Sequence, residues 1–482
     1  MGYEQDKRLL SRGVRMVTTR SRSRVGDDVA SKNNNNEKGS SPSSSKSKSI
    51  LGVAVFALFI DLIGFTMILP LFPSILAHYK KTDTSGAYDV FVRFAAGVGE
   101  IVGAPAESDT VLMGGLLGSV FCFLQFLSAP ILGAYSDVVG RKKVLLLCMG
   151  LIAASHLFWL FASTFALFIL SRLISGLARA NVSLTTTIIC DDLPPEERPK
   201  GMAFIGIAFS FGFVIGPAIG AFFPWKSGSF QEAALACMLL SLTSLLIIWW
   251  KLEETLSASH RAPSFAAKLG DISHYVLPNH LFAFKSVSVG KELRGVGLAY
   301  FLYIFIYSGL EFTLTFLTET RFGFTRAEQG KMFACLGILM AFLQGTVTRR
   351  LKPWMEHSAA MLGMLFMIPA FIILSLAQDV GMFAIGLFCY SVGSAVCGPS
   401  LTSMLGGKVP RLNERGVAIG IFRSLGALAR VFGPLVASSI FWRYGPETAY
   451  LVGAGSILLP LVVLKVVEGG VASPARKENK AL

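Results

Sequence analysis

The chain has 482 residues, of which 53% are hydrophobic and 15% are charged, and it carries a net charge of +14 at pH 7. Soluble globular domains contain about 25% charged residues, so this composition excludes an ordinary soluble protein and favours one that lies in lipid. The excess of bases does not indicate nucleic-acid binding, because the bases flank apolar segments and attraction to an anionic membrane surface accounts for them.

Twelve apolar runs follow one another along the chain, each close to the roughly 20 residues that cross about 30 Å of hydrocarbon as a helix. They lie near residues 50–73, 111–133, 143–162, 165–189, 201–223, 233–250, 295–318, 329–347, 358–376, 380–404, 416–440 and 447–467. Helices satisfy every backbone group within the segment, as a lipid environment requires. The predicted fold is therefore all-α, with twelve transmembrane helices numbered here as spans 1 to 12.

The remaining segments predict how the spans are organised. Residues 1–49 are polar and contain Asn and Ser/Lys tracts, and we expect a disordered cytosolic tail. Residues 50–250 and 295–468 are predicted to form two six-helix bundles. A polar cytosolic loop, 251–294, joins them, and 469–482 form a second cytosolic tail.

The two predicted bundles contain a repeated sequence. Residues 206–212 in span 5 (GIAFSFG) are similar to residues 420–426 in span 11 (GIFRSLG). Each stretch precedes a Gly-Pro pair, Gly216-Pro217 and Gly433-Pro434. Two repeated bundles around a central cavity are typical of transporters that work by alternating access.

Basic residues predict the orientation. The tail 1–49 holds eleven Lys/Arg against five Asp/Glu, whereas the first large loop on the opposite side, 74–110, holds three bases and five acids. Lysine and arginine are enriched on the cytosolic side, and an even number of spans returns the chain to the side on which it began. We therefore expect a multi-pass protein of the plasma membrane or an internal membrane, with both termini cytosolic.

A short segment between spans 2 and 3, residues 133–143 (GAYSDVVGRKK), resembles the cytosolic loop between helices 2 and 3 of major facilitator superfamily transporters. Asp137 can pair with the positive N-terminal end of a neighbouring helix, and the resemblance implies that this helix is span 11, near Gly416. Arg141 can pair with Asp191 or Asp192. We predict a conformational switch, the alternative being a loop that only sets topology. Its predicted members are Gly133, Asp137, Gly140, Arg141, Asp191, Gly216, Pro217, Gly433 and Pro434.

Other stretches resemble drug-exporting members of the same superfamily. Residues 61–73 are similar to the first helix of bacterial tetracycline/proton antiporters, Arg172–Gly176 to a family motif, and 212–220 to the antiporter signature. Residues 319–330 and 423–434 look like the eukaryotic tetracycline-transporter-like proteins. This resemblance covers nearly all of 50–467 and implies efflux of organic anions.

The chain also departs from the bacterial tetracycline exporters, whose third and ninth helices carry acids. Spans 3 and 9 as predicted contain none, and His156 is the one histidine of span 3. His156 is either a hydrogen-bonded core residue or part of a proton route. Tetracycline itself is therefore not the expected substrate.

Charged residues within the spans are costly and usually functional. Arg172 and Arg179 are seven residues apart on span 4, as are Arg423 and Arg430 on span 11, so two helical turns place each pair on one face. We predict an electropositive central site for an anion, with Asp61 or Glu311 taking up a proton. The alternative is a set of buried ion pairs, such as Asp61 with Arg172. The predicted substrate-binding or coupling residues are Asp61, Arg172, Arg179, Glu311, Arg423 and Arg430.

The sequence thus predicts a monomeric secondary transporter that exports or exchanges small amphipathic organic anions, with protons as the candidate coupling ion. A non-transporting sensor or scaffold, and a uniporter of a neutral lipid or sugar, remain alternatives. The sequence has no P-loop, metal-spaced Cys/His cluster or nucleophile elbow. We therefore expect no enzymatic activity, no cofactor and no metal, and partners limited to the substrate, protons and the bilayer.

Overall fold

The computed structural model describes residues 44–104, 109–227, 230–265, 273–288, 291–409 and 411–471. Most of the predicted N-terminal tail, and the C-terminal tail beyond 471, lie outside the described residues. The first helix, α1 (Ser44–Met67), begins within the Ser/Lys tract.

The described part of the chain contains twelve helical segments long and apolar enough to cross a membrane and contains no strand, which confirms the predicted fold class. Spans 1 to 6 are formed by α1, α4 (Asp109–Val139), α5 (Arg141–Leu160), α6 with α7 (Phe165–Leu177 and Asn181–Asp192), α8 (Arg198–Ser227) and α9 (Phe230–Lys251). Spans 7 to 12 are formed by α12 (Lys291–Phe322), α13 (Arg326–Thr346), α14 (Glu356–Leu376), α15 (Val380–Lys408), α16 (Leu412–Tyr444) and α17 with α18 (Pro446–Ser456 and Leu458–Val471).

In the described part of the predicted loops there are four further α-helices. The loop after span 1 contains α2 (Phe72–Thr82) and α3 (Ala87–Val102), and the central loop contains α10 (Ser273–Val276) and α11 (Pro278–Phe282). Because successive spans alternate in direction, α2 and α3 lie opposite the end at which α1 begins. We call the end at which α1 begins the proximal end and the opposite end the distal end.

Asp83 anchors the distal loop. Its carboxylate accepts hydrogen bonds from the amides of Tyr88 (3.1 Å) and of Phe165, the first residue of span 4 (3.0 Å), and from Ser85. Burial works to raise the pKa of Asp83, but these hydrogen bonds outweigh it and lower the pKa to about 2. The loop between spans 1 and 2 is therefore fixed to the distal end of span 4.

Span 4 is not one continuous helix. The α6 segment ends at Leu177 and α7 begins at Asn181, with a turn at 178–180 between them. The prediction that Arg172 and Arg179 share one helical face is therefore wrong, because Arg179 lies in the turn. The carbonyl of Arg179, which the break leaves without its next helical partner, accepts a hydrogen bond from Gln125 of span 2 at 3.1 Å.

Glycines allow spans 2 and 11 to pack closely. On span 11, a Cβ at Gly416 would overlap the carbonyl of Gly133, and a Cβ at Gly420 would overlap the carbonyl of Ala129, both on span 2. Ser424 continues this stripe and donates to the carbonyl of Phe126 at 2.6 Å. Spans 2 and 11 therefore form a seam in which the two backbones approach closely at these glycines.

The repeated stretch in span 5 also places glycines at close contacts. Gly206 packs against the side chain of Gln344 of span 8, whereas Gly420 packs against the backbone of span 2. A Cβ at Gly216 would overlap Thr66 of span 1, and one at Gly433 would meet the carbonyl of Phe305 of span 7. Both helices continue through the prolines that follow these glycines. The repeated sequence thus serves the same close packing in spans 5 and 11.

Candidate functional site

The turn between spans 2 and 3 is a single residue. Residues 133–139 belong to the last two turns of α4, and Arg141 opens α5, so only Gly140 lies between the two helices. Its φ of 114° is in the region that favours glycine. Gly133 lies within α4, outside the turn, and contacts Gly416 of span 11.

Asp137 joins span 2 to the first turns of span 11. Its Oδ1 accepts from the amide of Gly416 at 2.9 Å and its Oδ2 from the amide of Val417 at 3.0 Å. The side chain is fully buried. A carboxylate that meets backbone N–H groups near a helix N-terminus is stabilised by charge-assisted bonds and by the helix dipole.

Arg141 binds the same stretch of span 11 from the other side. Its Nη1 lies 2.5 Å from Asp137 Oδ1, and its Nη2 donates to the carbonyl of Leu412 at 2.8 Å. The Leu412 carbonyl and the Gly416 amide are partners at i and i+4 in an α-helix. Asp137 therefore binds the amide, and Arg141 the carbonyl, of one i, i+4 pair of backbone groups in span 11.

Asp191, at the end of span 4, bridges two arginines. Arg141 Nε donates to its Oδ2 at 3.0 Å, which is one of the two pairings that the sequence predicts. Arg415 Nη1 of span 11 donates to its Oδ1 at 3.2 Å and to the carbonyl of Cys190 at 2.9 Å. We call Asp137, Arg141, Asp191 and Arg415 the proximal latch, because its bonds tie spans 2, 3 and 4 to span 11 at the proximal end.

Glu254, four residues beyond the predicted span 6, braces the latch. Its two oxygens accept from the amides of Arg141 at 2.8 Å and Lys142 at 3.2 Å, so it caps the N-terminus of span 3. In addition, the amide of Ala262 donates to the carbonyl of Asp137 at 2.9 Å. The first part of the central loop is thus bound to the latch rather than free.

A buried ion pair lies at the break of span 4. Arg179 Nη1 is 3.0 Å from Asp61 Oδ2, and Asn181 donates to the same oxygen at 2.5 Å. The Arg179 guanidinium also lies over the Phe65 ring, 4.0 Å from its centroid. The expected pairing of Asp61 with Arg172 is wrong, because the turn at 178–180 brings Arg179 to Asp61 instead.

Arg172 lies among aromatic rings. Its guanidinium is 5.1 Å from the centroid of Trp159 and 5.6 Å from that of Phe168, and its Nε donates to Ser171. Nη2 is buried and has no hydrogen-bond partner among the described residues. Cation–π contacts therefore hold this arginine in place.

Arg423 and Arg430 lie on span 11 without carboxylate partners. Within the described part of the chain, no Asp or Glu oxygen is within 4.0 Å of either guanidinium. Arg423 Nη2 donates to Thr186 at 3.3 Å, and its Nε is buried without a partner. Arg430 is an electrostatic neighbour of Glu311. Because α16 runs from Leu412 to Tyr444, Arg430 lies near its midpoint.

Glu311 of span 7 is held by a tyrosine rather than by a base. Tyr307 donates to its Oε1 at 3.0 Å, and the Tyr307 ring stacks on Tyr390 of span 10 with centroids 5.3 Å apart. Of the four arginines within the predicted spans (Arg172, Arg179, Arg423 and Arg430), only Arg179 has a carboxylate partner within 4.0 Å among the described residues. We call Arg179, Arg423, Arg430, Asp61 and Glu311 the central cluster.

The family follows from comparison with known proteins. A model of the Major Facilitator Superfamily matches residues 54–434. The chain belongs to the major facilitator superfamily. It is 40% identical over 438 residues to major facilitator superfamily domain-containing protein 10 of Bos taurus, covering 89% of this chain and 94% of the relative. It is 24% identical to the class B tetracycline resistance protein of Escherichia coli, over 81% and 88% of the two chains.

The fold is similar to that of a solved transporter. The crystal structure of the human organic anion transporter MFSD10 (TETRAN) superposes with a TM-score of 0.83 at 39% identity, covering 87% of this chain and 99% of the human one. The predicted resemblance to the tetracycline-transporter-like proteins is confirmed. As a member of the superfamily, the chain is a multi-pass integral membrane transporter and not an enzyme.

The structure also adds site residues that the sequence analysis missed. Arg415 precedes the predicted start of span 11 by one residue, and Glu254 follows a predicted span, so neither lies at predicted membrane depth. Glu356 was placed outside span 9 (358–376) but opens α14, where it is buried and accepts from Ser403 at 2.5 Å. A buried acid therefore does lie at the proximal edge of span 9 in this member of the superfamily.

His156 and Arg443 have structural partners. His156 Nδ1 lies 3.0 Å from Ser241 Oγ of span 6, a contact typical of a hydrogen-bonded core histidine. Arg443, at the distal end of span 11, donates to the carbonyl of Ile101 at the end of α3 at 2.5 Å. Span 11 is thus tied to the first half of the chain at both its ends.

Proposed function

We propose that this transporter exports or exchanges small amphipathic organic anions by alternating access between two six-helix bundles, residues 50–250 and 295–468. One observation carries the proposal: Arg423 and Arg430 lie deep in span 11 with no carboxylate within 4.0 Å among the described residues. An uncompensated guanidinium near mid-membrane costs at least about 2.5–3.5 kcal/mol. A bound anion offsets part of that cost.

The relatives support the same substrate class. The human protein with the similar structure is named an organic anion transporter. Guanidinium groups bind carboxylates and related anions through two parallel hydrogen bonds, which a lysine reproduces poorly. The buried and unpartnered Nε of Arg423 is a donor that such an anion can satisfy.

The proximal latch supplies a closed state. Its bonds join spans 2, 3 and 4 to span 11, so they break when the two bundles separate at the proximal end. The bases of the tail 1–49 favour a cytosolic proximal end. We therefore assign the structure to a state closed toward the cytosol, in a plasma membrane or an internal membrane.

Glu311 is the better candidate for proton coupling. Asp61 is neutralised by Arg179 at 3.0 Å, whereas Glu311 has a tyrosine as its direct partner and no cation within 4.0 Å among the described residues. A buried carboxyl group without a direct ion-pair partner can exist as the neutral acid, so it can load a proton in one state and release it in the other.

Transport by the purified full chain in proteoliposomes tests the substrate class. We expect uptake of a carboxylate probe but not of its cationic amine analogue. Arg430→Lys should raise KM for the anion by roughly tenfold, and Arg430→Ala should abolish transport. Arg321→Lys is the matched control, since Arg321 lies at the distal end and binds Glu447 and the carbonyls of Ser375 and Ala377.

Equal transport of the two probes, or of a neutral sugar, would exclude the electropositive site and favour a uniporter. An absence of flux with every probe class would favour a sensor or scaffold. Rescue of Arg430→Ala by a second change, Glu311→Gln, would indicate that the arginine serves only to neutralise the acid.

A further inference from the structure

A groove of about 270 Å³ lies at the proximal end, away from the central cluster. Phe282 of α11 forms part of it, and the first turns of span 7 contribute Gly295, Leu298 and one charged residue, Arg294. The groove therefore combines apolar walls with a single cation, at the depth where span 7 enters the membrane.

The groove opens toward lipid rather than toward the protein interior. Leu298 is 38% exposed, and on the neighbouring span 12 Val462 and Val466 are 60% and 70% exposed. Exposed aliphatic side chains on a transmembrane helix face acyl chains. Span 12 borders the groove directly, because a Cβ at Gly295 would overlap Val467.

Arg294 has its charge available. It is exposed, and within the described part of the chain no carboxylate oxygen lies within 4.0 Å of it. The nearest acid in sequence, Glu292, is bound by Lys408 of span 10 at 2.6 Å. The guanidinium at the head of the groove is therefore not neutralised by any of the described residues.

The apolar wall is held in place by its neighbours. Leu281 and Phe284, on either side of Phe282 in α11 and the turn after it, are 0% and 1% exposed. The Phe282 ring meets Phe301 of span 7 edge-on, with centroids 4.9 Å apart. The groove is thus formed in advance of any ligand.

We infer that the groove binds an anionic phospholipid of the proximal leaflet. The phosphate lies against Arg294, and one acyl chain runs along Phe282 and Leu298. Basic side chains at the membrane surface attract anionic headgroups, and arginine binds a phosphate in bidentate fashion. The bound lipid connects the central loop to spans 7 and 12.

Lipid binding by the purified full chain tests this site. Native mass spectrometry counts retained lipids, and thermal unfolding in detergent measures stabilisation by phosphatidylglycerol against phosphatidylcholine. Arg294→Gln is expected to weaken phosphatidylglycerol binding roughly fivefold. Arg350→Gln removes another exposed arginine at the same end, outside the groove, and is expected to change binding less than twofold.

A second variant separates the groove from general surface charge. Leu298→Trp fills the groove and keeps the guanidinium, and it should lose phosphatidylglycerol as Arg294→Gln does. Unchanged binding in Leu298→Trp, or equal losses in Arg294→Gln and Arg350→Gln, would overturn the site in favour of diffuse attraction. Equal stabilisation by soluble glycerol phosphate would identify a free phosphate as the ligand and would also overturn it.

Discussion

Replacing Asp137 by Asn is expected to shift this transporter toward the state that is open at the proximal end. The carboxylate accepts from the amides of Gly416 (2.9 Å) and Val417 (3.0 Å), and both bonds exist only while span 11 lies against span 2. An asparagine keeps one acceptor oxygen, but its NH₂ group faces the second backbone amide and cannot accept a hydrogen bond from it. Arg141 retains Asp191, so the first bundle stays intact.

The size of the shift follows from the bonds that are lost. A hydrogen bond to a charged group contributes about 1.5–3 kcal/mol. Losing at least one such bond corresponds to a change of roughly tenfold to 150-fold in the ratio of closed to open molecules. A transporter whose two states differ by a few kcal/mol becomes mostly open at the proximal end after such a change.

Distance measurements between spin labels on this end can detect the shift. Labels at the exposed positions Lys143 and Arg411, in a background without native cysteines, report the separation of spans 3 and 11. We expect a longer distance between the two labels to dominate in Asp137→Asn than in the wild type. Glu196→Gln removes an exposed acid at the same end and is the control. Wild-type distances in Asp137→Asn, or an equal shift in the control, would refute the latch.

Three further predictions concern the central cluster, the seam and the distal loop. Glu311→Gln should abolish the response of proteoliposome transport to a pH gradient; a preserved response would place coupling elsewhere. Asp61→Asn should instead lower the free energy of unfolding by about 3–5 kcal/mol, because it leaves the buried Arg179 guanidinium without its carboxylate. Gly416→Ala should reduce transport at least about tenfold through overlap with span 2, and Gly407→Ala, where a Cβ has space, should not. Asp83→Asn should lower the melting temperature at pH 7 by about 2 °C. Because the folded pKa of Asp83, about 2, is below the unfolded value of 3.8, its contribution is present above pH 3.8 and lost toward pH 2, where wild type and variant should melt together; a constant difference would contradict this.

The sequence predicted those features that depend on local patterns. Apolar runs located all twelve spans, because the length of a span is set by the thickness of the bilayer. The motif at 133–143 predicted both Asp137 near Gly416 and Arg141 near Asp191, since it resembled a family with known loop geometry. The switching role of these residues stays a prediction.

Features that depend on tertiary contacts were not predictable. The helical periodicity of span 4 does not indicate the turn at 178–180. Because of this turn, the partner of Asp61 is Arg179 and not the predicted Arg172. Glu254 and Arg415 lie at span ends, where charged residues are common and most serve only topology. Their roles depend on which span ends meet at the proximal side, and a single sequence does not contain that information.

The close glycine packing restricts the route that a substrate can take. Spans 2 and 11 meet backbone to backbone at Gly133 and Gly416, and spans 5 and 8 meet where Gly337 packs against the carbonyl of Ser210. At these contacts the two lateral faces between the halves are closed to acyl chains. The proposed amphipathic anion therefore has no sideways entrance there, and we expect it to enter from water. Its uptake should accordingly follow its free aqueous concentration rather than its total amount in the membrane.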